Sequence, residues 1–270
     1  MLYVRHKVCE QLDPYIDYLW FLSDVPPHAR ERILPSGTLE LVVNLADDEI
    51  RVYDAACLRR YRGAVASGAF RRCFVIDTRE HASIIGAHFR PGGAVAPLGV
   101  PADELVDRHV ELESLWSFSE ASLLREQLCA ATTATHRFHL LEQALLTHLL
   151  RARKRPRLSS IALPFMQRSG ASIREIARAV GLSHRYFIQS FEDEVGMTPK
   201  LFLRVQRFQR VLTMAAHGKG AHWAQVAEQC GYFDQSHLIR DFVSFAGITP
   251  AQFTQQRSDQ VKDNHVPLAD

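Results

Sequence analysis

Two short stretches near the C-terminal end carry side chains suited to reading the edges of nucleic-acid bases. The first holds His184, Arg185, Ile188 and Gln189, and the second holds Gln235, Ser236, Ile239 and Arg240. Arginine can pair bidentately with guanine O6 and N7, glutamine with adenine N6 and N7, and isoleucine can touch a thymine methyl. Ser183, His237, Arg204, Arg207, Arg210 and Lys219 surround them as candidates for phosphate contact. For each residue the competing reading is an ordinary solvated helix position. The elements that carry them decide between the two.

Those elements form an internal repeat. Ile173, Ile176, Ala177 and Val180 precede Gly181; Trp223, Val226, Ala227 and Cys230 precede Gly231. Each set follows i, i+3, i+4, i+7, the buried face of a two-turn helix, and each ends at a residue that closes helices in the left-handed conformation. An N-cap type follows, Ser183 in one copy and Asp234 in the other. A second helix then carries Phe187 and Phe191, or Leu238 and Phe242. Helix, glycine turn, helix is the helix-turn-helix pattern. Removing these buried positions leaves the base-reading residues above on the exposed face, in one register counted back from Phe191 and Phe242. Gly196-Met-Thr-Pro-Lys-Leu-Phe202 is echoed by Gly247-Ile-Thr-Pro-Ala-Gln-Phe253, with threonine as a cap and proline at the first helical position. A helix over Leu201–Ala216 joins the copies.

This repeat resembles the DNA-binding domain of the AraC/XylS family of transcription regulators, through Glu175-Ile-Ala-Arg-Ala-Val-Gly-Leu-Ser183, Val226-Ala-Glu-Gln-Cys-Gly-Tyr-Phe-Asp-Gln-Ser-His237 and Gly247-Ile-Thr-Pro250. Arg32-Ile-Leu-Pro-Ser-Gly37, Phe89-Arg-Pro-Gly-Gly93 and Leu98-Gly-Val-Pro-Ala102 resemble a cupin-like β domain found in some members. The resemblance implies promoter DNA as partner. It also implies a small-molecule effector or homodimerisation through the N-terminal part, and contact with RNA polymerase if the protein activates. The chain departs from the family at Phe191-Glu-Asp-Glu194 and Phe242-Val-Ser244, where members often carry basic residues. That departure implies weaker non-specific binding and more phosphate work for Arg204, Arg207, Arg210 and Lys219.

Upstream, short β-branched and aromatic runs at Leu39–Leu45, Ile50–Tyr53, Cys73–Thr78 and Ser83–Phe89 predict antiparallel strands. Arg90–Ala94 reads as a loop. Pro101–Arg108, Glu111–Trp116, Ser119–Ala131 and Thr135–Arg153 read as helices. On the last, Phe138, Leu141, Leu145 and Leu149 make an apolar stripe that either packs on the β domain or forms a dimer seam. The expected fold class is α+β: an antiparallel, cupin-like domain with helices over 1–150, a basic linker over 151–158, an all-α double helix-turn-helix over 159–257 and a disordered tail over 258–270. The linker is either a solvated connection or a phosphate-contacting arm.

Charge agrees with this division. Met1–Leu150 holds 15 Lys and Arg against 20 Asp and Glu, while Arg151–Arg257 holds 16 against 7. Only the second half suits a polyanion. Other chemistry finds less support. The 13 histidines include no H-x-H pair; His81 and His88 would point to opposite faces of one strand, and His136 and His139 lack an evident carboxylate partner. Neither metal nor cofactor is expected. Five widely spaced cysteines form no C-x-x-C pair, so no disulfide framework is expected. Cys57 and Cys73 are candidate sensors, Cys73 because it follows Arg71 and Arg72. No apolar run approaches the roughly 20 residues of a membrane helix, so a cytoplasmic location with no membrane partner is expected. The competing function is an enzyme, cupin-type or cysteine-reactive, fused to a DNA-binding module.

Overall fold

The computed structural model describes residues 2–24, 30–54, 57–78, 82–153, 156–166, 171–217, 222–256 and 264–268. The first part of the chain is built from β1 (Leu2–His6), β2 (Ile16–Ser23), β3 (Arg30–Ile33), β4 (Glu40–Asn44), β5 (Glu49–Asp54), β6 (Cys57–Arg62), β7 (Ala64–Ser67), β8 (Phe74–Asp77) and β9 (Ser83–Phe89). Then come α1 (Val95–Leu98), a 3-10 turn (Ala102–Leu105), β10 (His109–Glu111), α2 (Leu112–Leu115), α3 (Phe118–Ala130) and α4 (Ala134–Arg151). The second part is helical: α5 (Leu158–Met166), α6 (Ile173–Ala179), α7 (His184–Val195), α8 (Pro199–His217), α9 (Trp223–Gln229), α10 (Gln235–Ala246) and α11 (Pro250–Gln256). A last strand, β11 (His265–Pro267), follows. The fold class is α+β.

The strands form two antiparallel sheets, ordered β1-β2-β9-β4-β7-β10 and β11-β3-β8-β5-β6 among the described residues. Strand side chains alternate between faces, and the first sheet uses both. Leu41, Val43, Ala64, Ala66, Ile85 and Ala87 face the main core, which α1, α3 and α4 also enter. Val42 and Val65 face the other way, onto Ile50, Val52, Phe74 and Ile76 of the second sheet. A sheet covered on both faces reads as continuous apolar runs rather than alternation, as Leu41-Val-Val43 does.

Helix assignments shift in detail. The expected helix over Pro101–Arg108 is only the one-turn 3-10 segment, and Glu111–Trp116 begins as β10, paired with β7. Phe138, Leu141 and Leu145 of α4 are fully buried inside the chain, against β2, α1 and α3. The apolar stripe is therefore packing, and the dimer-seam reading of it is corrected. The tail also departs from expectation. β11 pairs with β3, Val266 is completely buried, and His265 Nδ1 lies 2.7 Å from Glu31 Oε2. The free edge of β3 and the Glu31 carboxylate give even three residues a place to dock, so the tail is not wholly disordered.

The two halves share one continuous core running from Val8 to Phe253 and Val266. Cys73 N donates to Phe245 O at 2.8 Å, and Gln206 Nε2 reaches Ser36 O. In the connection between them, Arg157 lies over the Tyr15 ring at 4.5 Å, so this part of the linker is docked; residues 154 and 155 lie outside the described residues.

Candidate nucleic-acid interface

The first helix-turn-helix starts from a side-chain cap, which α9 of the second lacks. Ser172 and Glu175 cap α6 reciprocally: Glu175 N donates to Ser172 Oγ, and Ser172 N donates to Glu175 Oε2 at 2.8 Å. Those bonds hold the Glu175 carboxyl below its ordinary range. The turns then cross Gly181 and Gly231 at φ of +75° and +76°, where an added Cβ would meet nothing within 4 Å. Glycine is needed there for the left-handed backbone rather than for space.

The recognition helices α7 and α10 begin under matched caps. Ser183 Oγ accepts from Tyr186 N at 3.3 Å, and Asp234 Oδ1 accepts from His237 N at 2.7 Å. They end at Gly196 and Gly247, both left-handed. Phe187 and Phe191, and Leu238 and Phe242, are buried as the repeat predicts. His184, Arg185, Gln189, Gln235, Ser236 and Arg240 are exposed; Ile188, Ile239 and His237 are half-buried. Gln189 is tied to its own helix, its Nε2 donating to Asp193 Oδ1 at 2.8 Å. The His237 ring stands edge-on to Tyr232, with centroids 5.1 Å apart.

The connecting helix α8 grips both recognition helices. Its Phe202 packs edge-to-face on Phe191 at 5.6 Å, and its Phe208 packs on Phe242 at 5.1 Å and on Phe245. Aromatic pairs at these distances are individually worth about 0.5–1.5 kcal/mol beyond their burial. Arg204 adds a bond to the buried Asp241 of α10, Nη2 to Oδ1 at 2.7 Å. The expectation of Arg204 as a phosphate contact therefore gives way to an intramolecular role. Arg207 Nη1 donates to Gly231 O at 3.0 Å with its guanidinium over Tyr232, which leaves it half-engaged at the second turn. Arg210 is exposed. Lys219 lies outside the described residues.

The acidic triplet Glu192–Glu194 also has internal work. Glu194 accepts from Leu158 N and Ser159 N at 2.7 and 2.8 Å, capping α5. Glu192 faces Asp103 of the 3-10 turn, and burial with that neighbouring charge raises its carboxyl pKa. The C-terminal half of α7 thus belongs to the contact with the N-terminal part, and the N-terminal half is the exposed end.

Two residues escaped the sequence reading. Tyr186 is 60% exposed on α7, and Phe233 is 93% exposed in the second turn. Ile173-to-Gly181 and Trp223-to-Gly231 align with an offset of 50, whereas Ser183 and Asp234 align with an offset of 51. The second turn is one residue longer, and that change of offset was the available signal for Phe233. Cys73 shows no sensor geometry: its Sγ donates to Ala246 O at 3.3 Å, and burial raises the thiol despite the arginines near it. Cys57 is exposed. Among the described residues no group of three or more His, Cys, Asp or Glu could hold a metal, and no helix is long and apolar enough to cross a membrane. His81 lies outside the described residues.

Comparison with known proteins matches two separate stretches of the chain. Residues 176–256 match the model of a family described as a helix-turn-helix domain. Residues 4–111 match a domain of unknown function. An uncharacterized HTH-type transcriptional regulator of Haemophilus influenzae is 26% identical over 120 residues, which are 44% of this chain and 39% of that protein. The chain therefore matches well under half the length of that relative. Crystal structures of ToxT from Vibrio cholerae superpose at TM-score 0.47: an apo variant at 12% identity, covering 88% of this chain and 97% of that one, and an unsaturated fatty acid bound form at 10% identity, covering 87% and 94%.

Proposed function

We propose that this chain, whose C-terminal part matches a helix-turn-helix domain model and resembles the AraC/XylS type, is a sequence-specific transcription regulator reading two major-groove segments. One observation carries the reading. Two capped recognition helices expose polar faces in the same register while α8 holds both through packed rings. Arg185, Gln189, Gln235, Ser236 and Arg240 read base edges, with His184, Ile188 and Ile239 beside them. Tyr186 and Phe233 add apolar contact at the same ends. Ser183, His237, Arg207 and Arg210, with Lys219, take phosphates. Gln189 exchanges its bond to Asp193 for a base. The N-terminal part acts without catalysis, in the cytoplasm, by sensing an effector or by homodimerising; an activator would also meet RNA polymerase. Cysteine chemistry is disfavoured because the Cys73 thiol is pushed away from the thiolate that reactivity needs.

Selection of bound sequences from random DNA tests this. Arg185→Ala and Arg240→Ala should each cost about 1–3 kcal/mol at the selected site and relax preference at one base position. Unchanged preference and affinity in both variants would overturn the assignment.

A further inference from the structure

A cleft of about 990 Å³ opens between the two parts of the chain. Its N-terminal wall comes from β5, β6, the segment Phe70–Phe74 and β10; its C-terminal wall is Leu201 and Arg204 of α8 with Ser244 and Phe245 of α10. Arg59, Arg71, Arg72, Arg108 and Arg204 line it against one carboxylate, Asp107. Arg71 already holds Asp107 at 2.6 Å and Arg204 already holds Asp241. Arg72 and Arg108, both exposed, make no ion pair among the described residues. The cleft is left electropositive.

Beside that charge stands an orphan. Both ring nitrogens of His109 are shut from solvent and have no hydrogen-bond partner among the described residues. The imidazole sits among Tyr61, Phe70 and Phe74 with centroids 5.7, 4.8 and 4.7 Å away. A buried polar group without a partner costs about 1–3 kcal/mol, and native structures carry few of them. A smaller space between the sheets shares Val52, Phe74 and His109 with the cleft but holds only about 70 Å³. Ligand pockets run to roughly 300–1,000 Å³, so the cleft, not the sheet interior, has the size of a ligand seat.

We infer that this cleft binds a small organic oxyanion, its charged group held by Arg72 and Arg108 and its flat or apolar body lying on Tyr61, Phe70 and His109. Guanidinium forks match planar oxyanions, and aromatic walls accept a ring. A DNA duplex is too wide to enter a concavity of this size. The inference deepens the proposed function by giving the effector class, and depends on it only for the consequence at DNA. Ser244 and Phe245 of α10 form the facing wall, so an occupant that also reaches them biases the arrangement of the two parts by its differential affinity.

The test uses the full chain and 8-anilinonaphthalene-1-sulfonate as a fluorescent aryl oxyanion, with inorganic pyrophosphate and succinate as competitors that separate phosphate from carboxylate preference. One saturable site is expected. Arg72→Ala/Arg108→Ala should weaken it at least tenfold without moving the melting temperature, and Tyr61→Ala, which removes part of the aromatic wall, should weaken it while leaving the arginine contacts. Equal probe affinity in the double arginine variant overturns the site. So does loss of non-specific DNA affinity in that variant with probe binding intact, which would make the arginines a phosphate track. Neither failure touches the base preferences of Arg185 and Arg240, so the site and the regulator reading fail separately.

Discussion

Replacing Arg204 by alanine separates two accounts of the same arginine. As a phosphate contact it would lie free at the surface. In the structure it is bonded to Asp241, only 5% exposed on the second recognition helix, and lies over the Phe245 ring at 5.2 Å. Arg204→Ala leaves the Asp241 carboxylate buried and uncompensated. Removing one partner of a buried pair costs about 3–5 kcal/mol. Arg204 is itself over a third exposed, which places the pair near solvent, so the lower end applies, about 3 kcal/mol. In a chain of this size each kcal/mol moves the melting temperature by about 2–4 °C, giving a drop of roughly 6–12 °C. Arg204→Leu/Asp241→Leu, which removes both charges, should recover most of the loss. The assay is thermal unfolding beside the salt dependence of DNA binding. The slope of log affinity against log salt should stay unchanged. Native stability with a slope shallower by about 0.9 would refute the reasoning and restore the phosphate role.

Truncation after Gln256 removes β11 and the buried Val266 and exposes the edge of β3. Burying a valine contributes about 1.5–3 kcal/mol, so the urea midpoint should fall accordingly; an unmoved midpoint contradicts the docked strand. Burial pushes His109 down to about 4 from an ordinary value of 6.5. The unfolded chain takes up this proton below 6.5 while the native one resists until about 4, so its contribution to stability is complete above that window and is lost as pH falls through it. His109→Phe should flatten this limb of the stability profile, and a profile identical to the parent chain's would contradict the burial.

The helix-turn-helix half was legible because its helices repeat a 3.6-residue pattern and stop at glycines whose φ is positive in the structure. Two copies of one pattern fixed the register. The β half was less legible. β4, β5, β8 and β9 announced themselves as apolar runs, but β6, Cys57-Leu-Arg-Arg-Tyr-Arg62, is a largely exposed edge strand whose side chains pack on little. β11 is three residues whose partner β3 lies more than 200 positions away, and no local pattern encodes such pairing. The same limit hid the fate of charges. The sequence marked Arg204 for phosphate and Glu192–Glu194 as a departure from basic residues, whereas Asp241 and the α5 N-terminus, which bind Arg204 and Glu194, and Asp103, which crowds Glu192, are contacts of the folded chain. Conversely, the stripe on α4 read the same for packing and for a seam, because burial within a chain and between chains asks for the same side chains.

The most direct measurement is a hydroxyl-radical footprint of the full chain on its selected site. Recognition helices fixed at the two ends of α8 should protect two short patches on one face of the duplex, about 10 bp apart. Arg185→Ala should weaken protection of one patch and Arg240→Ala that of the other. A single protected patch, or both substitutions erasing the same patch, would contradict reading by two helices from one chain.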